Sequence, residues 1–240
     1  MQKLRLRVLA CATAAGLLAA LAPTFAFAGK IDEEVLAEVN FARTHPQEYA
    51  FELLAQPVSD WERRVRPDGI EDSQAFAEAV EFLLRQAPLA PLREDDSLAA
   101  AALEHVSEQG PAGVIGHASA DGEAFDARLR RHIPRNTLVA ENIAYGPRTA
   151  ADVVRELIID KGVPDRGHRT NIFHPDVAAA GVACGPHRTF VAMCVIDFAG
   201  DPVGGHSLAR RQLASLEVSD VAVPGPEGSS FLQRLLRRFY

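Results

Sequence analysis

The chain predicts an α/β fold, with helices packed on a small, mostly antiparallel sheet. Two observations carry this. Apolar residues recur at helical spacing through the first half, and strand-like runs that can close as a hairpin dominate the stretch up to residue 198. The order helices, strand, helix, hairpin then places the sheet late in the chain, with helices available to cover it. No internal repeat interrupts this order.

The first segment is a leader. Lys3, Arg5 and Arg7 precede an uncharged apolar stretch from Val8 to Ala22, followed by Pro23 and Ala26-Phe27-Ala28. A basic front, a short apolar core and an Ala-x-Ala end describe a removable secretory signal, with cleavage expected after Ala28. The run is shorter than the roughly 20 residues of a spanning helix. The expected domain organisation is 1–28 signal, 29–200 folded domain and 201–240 tail.

Ile31, Val35, Val39 and Ala42 mark a helix over 31–43. His45-Pro46 ends it, because the residue before proline avoids the helical region. Thr44 then caps a second helix, with Pro46 in its first turn and Gln47 closing a capping box. Residues 56–70 read as loop around Trp61, and Phe76, Val80, Leu83 and Leu84 mark a third helix. Beyond Pro88 and Pro91, Ser97 caps a helix over 98–109 that Gly110-Pro111 stops. Residues 111–135 are rich in turn formers.

A strand follows over 136–145. Thr149 opens a helix running to about Asp160. Residues 166–174 form a short turn or helix closed by Pro175. Val177–Gly185 and Phe190–Phe198 pair as a hairpin around Gly185, Pro186 and His187. Residues 201–228 lack periodicity, and 230–240 form either a basic amphipathic helix or a frayed end.

Composition limits the partners. The full chain carries a net charge of −7. Removing 1–28 takes three basic residues and no acidic one, which lowers the charge to −10. That argues against nucleic acid and against anionic membrane surfaces as partners of the whole domain. The same cleavage removes Cys11 and leaves Cys184 and Cys194 in an oxidising compartment, where a disulfide is expected. Direct opposition of these two would centre the hairpin loop on Thr189. Two buried free thiols are the alternative.

Four ionisable residues stand out. His117 follows a loop in Gly116-His117-Ala118-Ser119. Glu141 shares its strand face with Val139, Ile143 and Tyr145, where a carboxylate is costly unless paired. Asp160 continues the Val153/Leu157 stripe and falls at a helix C-terminus, where the helix dipole disfavours an anion. Lys161, a protonated histidine or a metal would compensate it. His168 follows Gly167 in Arg166-Gly167-His168-Arg169. His105 reads as a core or cleft-edge histidine, His174 and His187 as loop residues, and His45 as a helix junction.

In this order the segments resemble the CAP superfamily (cysteine-rich secretory, antigen 5 and PR-1 proteins), in its bacterial secreted branch. Asn40-Phe41-Ala42-Arg43-Thr44-His45-Pro46 is similar to its opening helix. Gly116-His117 with Asp121-Gly122, Ala140-Glu141-Asn142-Ile143-Ala144 and Gly167-His168-Arg169 are similar to its site motifs. The resemblance spans about 31–200 and implies a three-layer α-β-α sandwich whose cleft holds His117, Glu141, Asp160 and His168. Better-known members carry Glu where this chain has Asp160. Glu156, one turn earlier, is the fallback.

Three functions compete for that cleft. The favoured one is a binding module. In it His117 and His168 hold Zn²⁺ or another divalent cation, the acids orient the imidazoles, and the ligand is an extracellular or cell-envelope molecule such as a lipid or protein. A metal-dependent hydrolase would add Asp160 as third ligand and Glu141 as general base. A purely structural interaction domain would use the four residues only for stability. Ser119 lacks the setting of a serine nucleophile.

Overall fold

A computed structural model describes residues 24–55, 73–134 and 137–201; the side chains of residues 24–28 and of Ser73 are outside the description. The proposed cleavage point, Trp61, the 56–70 loop and the tail beyond 201 therefore lie wholly or partly outside the described residues. Within them run α1 (Thr24–Thr44), α2 (Pro46–Ala55), α3 (Ser73–Arg85), β1 (Arg93–Glu94), α4 (Asp96–Ala112) and α5 (Phe125–Leu129). Next come β2 (Val139–Tyr145), α6 (Ala150–Ile159), α7 (Gly167–Ile172), β3 (Val177–His187) and β4 (Val191–Gly200). Among the described residues no helix is long and apolar enough to cross a membrane.

The sheet order is β1-β3-β4-β2, antiparallel except for β1 beside β3. Alternation along the strands feeds two layers. Ala180, Val182, Cys184, Cys194, Ile196 and Phe198 pack against α1, α2, α3, α6 and α7. Ala179, Ala183, Met193, Val195 and Ala199, with Val139 and Ile143, pack against α4 and α5. The result is the three-layer sandwich the resemblance implies. β1 is an addition, since two residues beside prolines give no strand pattern.

Gly181 sets the spacing of the second layer. A Cβ there would lie 1.9 Å from the Ala99 amide nitrogen, so only glycine lets the first turn of α4 approach β3 so closely. In the other layer Asn40 grips the backbone of Leu92, its amide donating to the carbonyl at 3.1 Å and its carbonyl accepting from the amide at 2.7 Å. Buried Arg43 donates to the carbonyls of Ala90, Ile172 and His174. These two residues of the opening helix tie it to segments far along the chain.

Several local expectations are corrected. Thr44 remains in α1, with its hydroxyl donating back to the Asn40 carbonyl at 2.7 Å, and Gln47 donates to the Gln86 carbonyl, so no capping box forms. Asp95, not Ser97, caps α4 by accepting from the amides of Ser97 and Leu98. That helix continues through Gly110-Pro111, because the bond proline forfeits lies in the last turn, and Gly113 closes it. The turn-rich stretch contains α5, a helix of five residues.

The hairpin turns at Arg188-Thr189-Phe190 rather than at Gly185-Pro186-His187. Cys184 and Cys194 are directly opposed and joined by a disulfide. His187 belongs to the strand and is buried. Its Nε2 donates to the Val114 carbonyl, and its Nδ1 accepts from the amides of Thr189 and Phe190, so the ring holds the turn together.

Candidate functional site

The site is built around β2, the strand at one end of the sheet order. Its alternation sends Glu141 toward α4 and α5 and Asn142 toward α6 and α7. Two histidine–carboxylate dyads straddle it.

The first dyad is His117 with Glu141. Glu141 is buried, and its Oε1 lies 2.8 Å from His117 Nδ1. A carboxylate only accepts, so Nδ1 carries a proton, and in the neutral ring Nε2 is the lone-pair nitrogen. The loop holding His117 is gripped one residue earlier. The Gly116 carbonyl accepts from His105 Nε2 at 2.9 Å and from Gln109 Nε2 at 2.8 Å, and the Gly116 amide donates to the Tyr145 hydroxyl at 2.9 Å. Gly116 has φ of 119°, a conformation that side chains resist. The His117 side chain remains half exposed.

Arg128, from α5, is the residue that organises this dyad. It is fully buried and pairs with Glu141 Oε2. It also donates to the His117 carbonyl at 3.2 Å, to Ser119 Oγ at 3.3 Å and to His105 Nδ1 at 2.9 Å. His105 is therefore neutral, accepting on one nitrogen and donating from the other. Desolvation, and then the Arg128 charge, hold its pKa below the ordinary histidine value. The expectation of a core or cleft-edge histidine holds for His105.

The second dyad is His168 with Asp160. Asp160 closes α6 in the left-handed region (φ 56°), where Asp is tolerated. Its Oδ1 lies 2.7 Å from His168 Nδ1, and its Oδ2 accepts from the His168 amide at 2.9 Å. The same carboxylate that sits unfavourably at the end of α6 thus satisfies the first amides of α7. This is the compensating partner that the sequence demanded. Glu156 lies partly buried one turn earlier in α6. Arg169 locks the helix pair by donating to the carbonyls of Ile158 and Ile159.

An asparagine pair joins the two dyads. Asn142 Nδ2 donates to the His168 carbonyl at 3.0 Å. Asn171 Nδ2 donates to Asn142 Oδ1 at 2.9 Å and to the Glu141 carbonyl at 3.3 Å. Adjacent residues of β2 therefore carry Glu141 of one dyad and the tether of the other.

Asp197 completes the buried belt. It opposes Glu141 across the β2–β4 ladder and has no exposed surface. Burial, and then the Glu141 charge, push its carboxyl well above the ordinary range. Sequence reasoning passed over both Arg128 and Asp197. Arg128 stands beside Arg130 and Arg131 and reads as one of a solvated basic run. Asp197 did carry a signal, since it interrupts the apolar run Val195–Ala199 as Glu141 interrupts its own.

The four expected residues thus form two pairs, with each imidazole presenting Nε2. Among the described residues no group of three or more His, Cys, Asp or Glu is arranged to hold a metal ion. The two ring Nε2 atoms are the metal-capable donors left over from these pairs. They fall short of the three protein ligands usual for catalytic zinc, because both Asp160 oxygens are engaged by His168.

The chain matches the cysteine-rich secretory protein (CAP) family over residues 36–198, more than half its length, and belongs to that family. No curated protein matches it. Among solved structures it is similar to an outer surface protein of Borrelia burgdorferi, at 21% identity and TM-score 0.40, covering 47% of this chain and 79% of that one. An extracellular protein of Bacillus anthracis containing an SCP domain is similar at 16% identity and TM-score 0.39, covering 61% and 45%. A cysteine-rich secretory protein of Staphylococcus aureus is similar at 14% identity and TM-score 0.35, covering 60% and 41%. The matched region spans less than half of the Bacillus and Staphylococcus proteins.

Proposed function

We propose that this CAP-family chain is an exported binding module whose cleft recognises an extracellular or cell-envelope ligand through the outward nitrogens of His117 and His168. The observation that carries this reading is the shared tautomer. Each ring gives its Nδ1 to a buried carboxylate, so each offers a fixed Nε2. Pre-set orientation of this kind lowers the ordering cost of binding. The leader-like start of the sequence, and relatives described as extracellular or outer-surface proteins, support export.

A divalent cation such as Zn²⁺ is the simplest species that two such nitrogens would hold, with its remaining ligands supplied by water or by the bound molecule. The acids would serve as acceptors that orient the rings rather than as ligands. The hydrolase alternative is less well supported, because both oxygens of Glu141 already have partners and its residue is buried.

Calorimetry of metal-free protein with Zn²⁺ tests the metal form of this proposal. The expected result is one binding event, lost in both His117→Ala and His168→Ala. Absence of binding in the native protein would remove the metal. Turnover of peptides, esters or cell-wall fragments that disappears in Glu141→Gln would replace the binding reading with the hydrolase one.

A further inference from the structure

We infer that Asp197 is a protonated acid that donates to Glu141, and that this buried proton is a positioning element for the loop carrying His117. Charges and donors in this closed space do not balance unless Asp197 carries a proton. Arg128 is the cation paired with Glu141, and its guanidinium also serves His105, Ser119 and the His117 carbonyl. His105 is neutral by its own hydrogen bonds.

Asp197 is left over. Neither of its oxygens has a hydrogen-bond donor, and it is completely buried. On its other side β3 offers Gly181, which has no side chain, under the backbone of Leu98 and Ala99. Val195 and Ala199, its same-face neighbours along β4, belong to apolar clusters. The charged groups that act on it are the Glu141 carboxyl, opposite it in the β2–β4 ladder, and the Arg128 guanidinium. Two acceptors cannot satisfy one another, and an unpaired ionised carboxylate in such a place is prohibitively costly. A proton on Asp197 resolves both problems and turns it into the donor that Glu141 lacks from the β4 side.

Glu141 then sits at the centre of three donors, His117, Arg128 and Asp197. Ionising Asp197 would place a second anion against it and draw Arg128 away from Glu141. Arg128 also holds the His117 carbonyl, so the loop would lose one of its anchors. This inference concerns the protonation of the belt and needs no ligand, so it stands or falls separately from the proposed binding function.

The test uses the full exported protein with ¹³C-labelled Asp and Glu side chains. One Asp carboxyl, assigned by its loss in Asp197→Asn, is expected to keep its protonated chemical shift at pH 7, where exposed carboxyls have ionised. The second measurement is urea denaturation of both proteins across pH. Asn keeps a donor toward Glu141 and cannot ionise. A native proton that the unfolded chain has lost changes the folding constant tenfold per pH unit. The ratio of the Asp197→Asn folding constant to that of the native protein should therefore rise about tenfold per unit between pH 5 and 7. An Asp197 signal that titrates with the exposed carboxyls, or a ratio that does not vary with pH, would overturn the inference. If Asp197→Asn does not fold, titration of the native protein decides alone, with the signal assigned through backbone correlations.

Discussion

Arg128 carries more of the site than any residue visible in the sequence. Its fully buried charge faces Glu141, and each would be stranded without the other. Arg128→Met keeps length and apolar bulk but leaves Glu141 uncompensated. Urea denaturation should show a loss of about 3–5 kcal/mol, the usual cost of breaking a buried pair from one side. Asp32 offers a milder test of the same physics. It accepts from the Cys184 amide at 2.7 Å, and burial raises its pKa from 3.8 to about 6. The folded state thus keeps a proton that the unfolded chain has released. The stability linked to it is complete below pH 3.8, falls as pH rises toward 6 and is then level. Asp32→Asn should flatten the melting temperature against pH in that window. An unchanged profile would show that Asp32 is solvated like any surface acid. At this scale the sequence was legible wherever a carboxylate stood on an apolar stripe. Glu141 and Asp160 were found that way and Asp197 was within reach of the same rule. Arg128 was not, because long basic side chains are ordinary on surfaces and a basic run looks solvated.

At the scale of elements, pattern located most helices and strands, and tertiary contacts decided their ends. Thr44 had the right identity for a cap but its hydroxyl returns to α1. His187 looked like part of a turn because Pro186 precedes it, yet its ring is the clamp that fixes the Arg188-Thr189-Phe190 turn directly after it. The hairpin register was readable from the two cysteines alone, since direct opposition centres the loop on Thr189. The contact of α4 with β3 was not readable, because a glycine in a strand has several meanings. Gly181→Ala measures it. A methyl group there meets backbone atoms of Leu98 and Ala99, which cannot swing aside. The expected loss is about 3 kcal/mol or more, the upper end for overpacking. A loss below about 1 kcal/mol would mean that α4 can lift from the sheet at little cost.

For the whole molecule, the order of segments conveyed the architecture, and the resemblance supplied the third layer. What remained hidden is how the layers share the site. Each dyad belongs to a different face of β2, and each histidine arrives from a different loop or helix. Spacing along the chain cannot reveal that, because Glu141 and His168 meet through Asn142 and Asn171, whose side chains give no apolar signal. The proposed function requires that both carboxylates fix their histidines with Nδ1 protonated and Nε2 left outside the dyad. Long-range ¹H–¹⁵N correlation of the imidazole rings in the native protein at pH 7.5 measures this directly. Both His117 and His168 should appear as the Nδ1–H tautomer, and His117 should lose that preference in Glu141→Gln and His168 in Asp160→Asn. The Nε2–H tautomer at either ring in the native protein would contradict the claim.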